Sequence, residues 1–289
     1  MAELFVVATP IGNLNDLTPR AGEALSTCDL IAAEDTRVTM KLLSHLKIKK
    51  PMISCHRHNE AQKADGLIER MLSENLAVCL TCDAGTPGIS DPGFELVRAA
   101  RMAGIRVTPV CGASAVVAHL SACGFDAREF AFYGFPPREG KALREHLARI
   151  ARTGIPVAVM YESPHRVVKL VETIAAELPG CEVSVACDIS KLYEKILTGD
   201  PACVLQALRE NPNVEKGEYA VVIDLAGVCV PEADAQGEVT IEARLLMDML
   251  AGAALNEAAD AALQAGCARN DLYRAKIRVK QFLEGGWAQ

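Results

Sequence analysis

The stretch Cys79-Leu80-Thr81-Cys82-Asp83-Ala84-Gly85-Thr86-Pro87-Gly88-Ile89-Ser90-Asp91-Pro92-Gly93 closes an apolar run, passes through three glycines and two prolines, and gives way to an amphipathic pattern at Phe94. That order reads as strand, tight loop, helix. Asp91 is placed to act as N-cap, with Pro92 in the first helical position. Small residues keep side chains out of the way, so the spacing predicts main-chain N–H and C=O groups open to a ligand beside the carboxyl end of the strand, where open α/β sheets bind. A plain glycine-rich turn fits the same letters, so the neighbouring stretches decide.

Working outward, the same unit recurs. Glu3 to Ala8 is an apolar strand, followed by the loop Thr9 to Leu17 and a helix opened by Thr18-Pro19. Leu30 to Ala33 is a short strand ending at Glu34-Asp35-Thr36-Arg37, with a helix from Thr39 to Leu46. Met52 to Cys55 is another strand, and Ala61 to Ser73 spaces Leu67, Ile68, Met71 and Leu72 as an amphipathic helix does. Beyond the central loop, a helix to Ala103 precedes the strand Arg106 to Val110, which Cys111-Gly112-Ala113-Ser114-Ala115 turns into a helix reaching Ala122. Strands alternating with single helices imply βαβ crossovers and a mainly parallel sheet. Residues 1–124 are therefore expected to form one α/β domain.

A second alternation begins near Glu129 and occupies 125–227. It holds a helix near Gly140 to Arg152, a strand Val157 to Tyr161, and then Glu162-Ser163-Pro164-His165-Arg166, where Ser163-Pro164 again suits N-cap and first position. Glu182 to Ala186 is a strand, Cys187 to Thr198 a polar loop, Asp200-Pro201 a helix start, and Glu218 to Leu225 the last strand. Residues 228–239 are rich in Pro, Gly and acidic side chains and read as a linker. Three helical patterns in 240–289, near Thr240 to Ala251, Asn256 to Ala265 and Arg269 to Leu283, make a unit of helix-turn-helix size. The last carries Arg269, Arg274, Lys276, Arg278 and Lys280 around Tyr273, which reads either as an RNA-contacting face or as a solvated one.

Composition sets outer bounds. A chain of 289 residues has the length for about two domains, and 50% hydrophobic with 23% charged residues is ordinary for a globular protein. The formal net charge of −7 argues against an indiscriminate nucleic-acid coat, while leaving room for a local basic face. No apolar run approaches the roughly 20 residues that span a bilayer, and the amino terminus reads as a strand rather than an export signal, so a cytoplasmic protein without membrane partners is expected. The 11 cysteines are odd in number and scattered, hence read as reduced. Cys79 and Cys82 fall in a strand pattern where side chains three apart face opposite ways, which speaks against a metal or redox pair.

The first strand is not followed by Gly-x-Gly-x-x-Gly, so a Rossmann dinucleotide site is unsupported. Instead, Ala8 to Thr18, Glu34-Asp35-Thr36-Arg37, Asp83 to Gly93, Tyr161-Glu162-Ser163-Pro164-His165-Arg166 and Ser190-Lys191-Leu192-Tyr193-Glu194 occur in that order. Together they resemble the tetrapyrrole methylase superfamily, in particular its branch acting on ribosomal RNA of the small subunit, over nearly the whole chain. The resemblance implies two α/β domains with S-adenosylmethionine in the cleft between them, a homodimer, and methylation of a ribose 2′-hydroxyl on a cytidine of 16S ribosomal RNA. Three positions depart from the usual pattern: Cys82 stands where serine is usual, Cys111 where proline is usual, and Arg57 where an acidic residue is usual.

Carried over by motif, the resemblance implies that Pro10, Asp83, Ala84, Gly85, Thr86, Ile89, Ser90, Ser114 and Ala115 line the cofactor from the first domain. Tyr161, Gly217 and Glu218 would close it from the second. A sulfonium donor is already activated, so transfer needs no metal and mainly requires in-line approach of the attacking oxygen. A ribose hydroxyl is a weak acid, so a side chain should share its proton as attack develops. Glu34, Asp35, Lys191 and Glu194 lie at strand ends as candidates, none singled out as the base. Arg37 and Arg166 suit phosphates flanking the target, since a guanidinium pairs two oxygens at once, and Arg274 and Lys276 would reach RNA from the tail. The competing readings are an interdomain salt-bridge network at these charges, a methylase acting on a tetrapyrrole carbon, and a non-catalytic ribosome-binding factor. Carbon methylases usually carry Gly-Asp-Pro where this chain has Gly85-Thr86-Pro87, and they lack the terminal helices.

Overall fold

The computed structural model of the protein describes residues 2–57, 59–228 and 240–283. The chain forms two compact units, 1–229 and 230–289.

The first unit is built on two five-stranded sheets. Strands β1 (Glu3–Val7), β2 (Leu30–Ala33), β3 (Met52–Ser54), β4 (Ala77–Thr81) and β5 (Arg106–Val110) form the first, in the order β3-β2-β4-β1-β5. Every pair in it is parallel. Helices α1 (Pro19–Thr27) and α2 (Thr36–His45) cover one face, packing Ala21, Leu25, Leu42 and Leu43 on Val7, Ile31, Ala33 and Cys79. Helices α3 (Glu60–Glu74) and α4 (Phe94–Met102) cover the other, packing Leu67, Met71 and Leu96 on Leu4, Leu30, Ala32 and Leu80. A strand buried on both faces has no polar side, which is why Leu30 to Ala33 reads as an unbroken apolar run.

The second sheet is mixed rather than parallel. Strands β6 (Phe130–Phe132), β7 (Val157–Glu162), β8 (Glu182–Cys187), β9 (Lys195–Gly199) and β10 (Tyr219–Asp224) lie in the order β6-β7-β10-β8-β9. Only β6 and β7 run parallel; β10 is antiparallel to both β7 and β8, and β9 to β8. Strand β9 occupies residues expected to be loop. Helices α6 (Gly140–Ala151), α7 (Val167–Glu177) and α8 (Pro201–Glu210) bury Leu147, Ile150, Leu170, Ile174 and Leu208 on one face of this sheet. Helix α5 (Ala115–Ala122), which precedes residue 124, packs Val116 and Leu120 on Val157, Val159 and Val222 of the opposite face. Its His119 donates or accepts a 2.8 Å hydrogen bond with Ser184 Oγ of β8. The helix therefore fastens the two sheets into one unit.

Two of the four expected cap-and-proline starts hold. Thr18 accepts from the Ala21 N–H at 3.3 Å and Asp200 from the Ala202 N–H at 2.8 Å. Asp91 and Ser163 do not cap: α4 starts at Phe94 behind Gly93, at φ 137°, and α7 starts at Val167 behind Arg166. At α4 the orphan N–H groups of Gly93 and Leu96 are taken by Glu60 Oε1, at 2.9 and 3.2 Å, so a buried carboxylate from α3 does the work expected of Asp91.

The second unit holds α9 (Ile241–Leu250), α10 (Leu255–Gln264) and α11 (Arg269–Leu283) around Leu245, Ala258, Ala259, Ala262, Leu272, Ala275 and Val279. Four alanines in that core let the helices approach closely. The expected linker over 228–239 lies, apart from Val228, outside the described residues. Among the described residues, no helix is long and apolar enough to cross a membrane.

Candidate functional site

Parallel order brings the carboxyl ends of β1, β2, β4 and β5 to one edge of the first sheet, and the loops following them carry Ile11, Glu34, Asp83 to Asp91 and Ser114. In the second sheet, antiparallel β10 starts where β7 and β8 end, with Tyr219 opposite both Glu162 and Cys187. Segments after β7 and β8 and before β10 thus meet at one edge as well. Between the two edges is a cleft of about 430 Å³, lined from the second sheet by Phe135, Tyr161 to Pro164, Ile189 and Gly217 to Ala220. That volume lies in the range of small-molecule sites.

Eleven of the twelve residues expected to line a cofactor do face the cleft: Asp83, Ala84, Gly85, Thr86, Ile89, Ser90, Ser114, Ala115, Tyr161, Gly217 and Glu218. Pro10 does not. It lines a smaller hollow of about 180 Å³, with Lys41, Leu42 and Asp83, the last of which also faces the cleft. The expected open main chain is also narrower than the glycine spacing suggested. Thr9 and Gly85 exchange both N–H···O bonds, at 2.8 and 3.1 Å, and the Gly88 and Ile89 N–H groups bond Pro92 and Thr86. Glycine is still required beneath the site: a Cβ on Gly112 would stand 2.9 Å from Ala8 Cβ and 3.2 Å from its carbonyl oxygen.

The cleft's chemistry is acidic and apolar. Glu34, Asp83, Asp91, Glu162 and Glu218 contribute carboxylates, and none of the described lining residues is Lys or Arg. Ile11, Ile89 and Ile189 form apolar wall, as does Phe135, whose ring centroid lies 5.7 Å from that of Tyr161. The carboxylates are linked: Glu34 Oε2 accepts the Asp83 N–H at 3.2 Å, and Asp83 Oδ1 accepts the Asp35 N–H at 3.1 Å. Burial pushes Glu34 and Asp83 above the usual carboxylate range. Burial, then the charges of Glu34 and Asp83, push Asp91 up to about 6. Such a cleft disfavours anions and suits a ligand combining a positive centre with a flat apolar group, as S-adenosylmethionine does.

The charged candidates fall in different places. Asp35 caps α2 through the Arg37 N–H at 2.8 Å and grips the Arg37 guanidinium with both oxygens, which holds its carboxyl down at about 2. Arg37 itself is 87% exposed beside the cleft mouth. Lys191 places Nζ 2.9 Å from Asp188 Oδ1 and 3.0 Å from Glu218 Oε2. Burial opposes its charge, but the hydrogen bonds to Asp188 and Glu218 outweigh burial and hold the ammonium above the ordinary lysine value. The Lys191 stem lies against Gly12, and Ser190 Oγ bonds Asp16, so this loop crosses to the first lobe. Glu194 accepts the Ser190 N–H at 2.5 Å within a loop where Asp188 and Ser190 take left-handed φ values of 52° and 69°. Neither Lys191 nor Glu194 lines the cleft; both brace the segment that holds Glu218. Arg166 turns Nη2 to the Pro136 and Pro137 carbonyls at 3.2 and 3.1 Å and to Glu162 at 2.9 Å. It therefore fixes the Phe135 segment to the cleft floor, where a free phosphate grip was expected. Arg274 and Lys276 belong to the second unit, where Lys276 donates to Asn256 at 3.0 Å.

Sequence reading passed over several wall residues. Ile11 and Glu162 to Pro164 lay inside quoted motifs without being assigned a place in the site, and Asp91 was read as a cap. Phe135, Ile189 and Tyr219 carry no local signal, because strand order alone brings them in.

Residues 3–202 match the family described as Tetrapyrrole (Corrin/Porphyrin) Methylases, and the chain belongs to that family, whose members use S-adenosylmethionine. Its curated relatives are more particular. Proteins named Ribosomal RNA small subunit methyltransferase I are 44% identical in Xylella fastidiosa, over 76% of this chain and 80% of that one, and 42% identical in Haemophilus influenzae, over 86% of each. The Pseudomonas aeruginosa protein of that name is 39% identical over 95% of this chain and 96% of its own. Among solved structures, the methyltransferase CobJ shares the fold with a TM-score of 0.57 at 18% identity, covering 78% of this chain and 95% of that one. Uroporphyrin-III C-methyl transferase from Thermus thermophilus, complexed with S-adenyl homocysteine, gives 0.52 at 16% identity, covering 76% and 96%.

Proposed function

We propose that the protein transfers a methyl group from S-adenosylmethionine to a ribose 2′-hydroxyl of a cytidine in 16S ribosomal RNA of the small ribosomal subunit. The carrying observation is the sequence likeness to small-subunit RNA methyltransferases, which in the Pseudomonas aeruginosa relative spans 95% of this chain and so extends into the terminal helices. Likeness to tetrapyrrole C-methyltransferases lies at 16–19% identity and concerns the fold alone.

When bound, S-adenosylmethionine supplies a methyl carbon already activated by its positive sulfur. The chain's part is to bind, orient and keep water out. The acidic floor from Glu34, Asp83 and Asp91 favours the positive centre, and the Ile11, Ile89 and Phe135 walls take the flat ring. Lys191 holds Glu218 and, with Ser190 on Asp16, keeps the second lobe's edge over the first. Arg37, exposed although paired with Asp35, is one phosphate contact, and Arg274 and Lys276 beside the exposed Tyr273 form a second RNA contact. The enzyme works as a cytoplasmic homodimer.

The test is incubation of the protein with labelled S-adenosylmethionine and small subunits from a strain lacking it, followed by mapping of the modified nucleotide. Label on one cytidine ribose is expected; label on a base, or none, would refute the assignment.

A further inference from the structure

We propose that Asp91 accepts the proton of the attacking ribose hydroxyl. The inference rests on the ribose-methylating reading above and adds the residue that reading leaves open.

Three observations single out Asp91 among the cleft's carboxylates. Its expected structural task is done elsewhere, since Glu60 Oε1 takes the Gly93 and Leu96 N–H groups at the start of α4. The flanking acids are engaged: Glu34 accepts the Asp83 N–H and Asp83 accepts the Asp35 N–H, which fixes both to the main chain. Asp91 lines the cleft, while the Cys82 thiol is turned to the Ala84 and Gly85 carbonyls, at 3.3 and 3.4 Å.

The charged and titratable groups around Asp91 are Glu34 after β2, Asp83 and Cys82 after β4, Arg57 before α3, and Tyr161 at the end of β7. Arg57 is the one cation among them, and its Nη2 donates to the Ser90 carbonyl at 2.9 Å rather than to a carboxylate. Burial and two like charges therefore prevail, raising Asp91 to about 6 and so toward the working range of a general base near neutrality. In the transfer step the ribose O–H bond breaks and its proton passes to an Asp91 oxygen. The 2′-oxygen forms its bond to the methyl carbon, and the electrons of the carbon–sulfur bond return to sulfur, leaving S-adenosylhomocysteine and a protonated Asp91.

The test compares wild type and Asp91→Asn for methyl transfer to unmodified small subunits from pH 5 to 8, with S-adenosylhomocysteine binding measured by calorimetry. Wild-type turnover should rise with pH through a midpoint near 6. Asp91→Asn should lose about 10²- to 10⁴-fold in turnover and the acidic limb with it, while binding S-adenosylhomocysteine within about twofold of wild type. An Asp91→Asn enzyme that keeps the limb, or one whose binding falls as far as its turnover, would overturn the proposal. Absence of transfer by wild type would instead overturn the reading on which the proposal rests.

Discussion

The two lobes reach the same cleft by opposite means. In the first, all strands run parallel, so every carboxyl end opens on one edge and the cleft is shaped by short loops of small residues: Ala84, Gly85, Thr86, Ser114 and Ala115. In the second, β10 runs against its neighbours, so its amino end meets the carboxyl ends of β7 and β8, and the cleft is closed by larger side chains. Phe135 and Tyr161 pack there, and Lys191 ties Asp188 to Glu218. The difference teaches a division of labour: the first lobe cradles through backbone shape, the second clamps through side-chain charge. Lesions in the first lobe's backbone cradle should then act on cofactor affinity, and lesions in the second lobe's charged clamp on turnover.

The sharpest way to break that division is Lys191→Ala. Losing the ammonium leaves Asp188 and Glu218 facing each other, and turnover should fall about 10²- to 10³-fold with cofactor affinity kept; single-turnover kinetics beside a binding titration would show it, and normal turnover would remove Lys191 from the mechanism. Next in size is Glu60→Ala, which strips two N–H groups at the start of α4 of their partner and should cost about 2–3 kcal/mol in urea unfolding. On the cradle side, Gly112→Val drives a side chain into Ala8. Affinity for S-adenosylhomocysteine should drop about 10- to 100-fold, with turnover at saturation less affected.

The joint between the lobes offers a pH test. His119 is fully buried, and burial lowers it from the ordinary 6.5 to about 4. The unfolded chain takes up a proton below about 6.5 while the folded chain resists until about 4, so the stabilisation is complete above the upper value and lost as pH falls toward the lower one. The unfolding free energy should decline between pH 7 and 5 by on the order of 1–2 kcal/mol, and His119→Gln should flatten that decline. The smallest expected effect belongs to the tail: Arg274→Glu with Lys276→Glu should reduce the salt slope of small-subunit binding by about 2, with methylated product unchanged in identity.

Local signals carried the first lobe well, because a parallel βαβ sheet writes its order into alternating strand and helix patterns and puts its loops where Asp83 to Ser90 could be recognised. They carried the second lobe less far. The antiparallel pairing of β8 and β9 passes through Asp188 to Glu194, which has no hairpin dipeptide, and β9 is a five-residue edge strand of mixed polarity, so Lys195 to Thr198 read as loop. Asp91-Pro92 and Ser163-Pro164 look like Thr18-Pro19 and Asp200-Pro201, yet only the latter pair begin helices. At Asp91 the outcome was set by Glu60, 31 positions earlier, and a contact of that separation leaves no trace in the local letters. Arg166 likewise has the residue type of a phosphate contact, and only the fold shows that the Pro136 and Pro137 carbonyls occupy it.

The central claim is that the crevice between the two sheets receives the methyl donor, and a crystal grown with S-adenosylhomocysteine tests it most directly. The account predicts density for the ligand between the Asp83 to Ser90 loop and Tyr161, with its sulfur on the side of Asp91. Ligand bound in the smaller hollow beside Pro10 and Lys41, or a crevice left empty at saturating ligand, would contradict it.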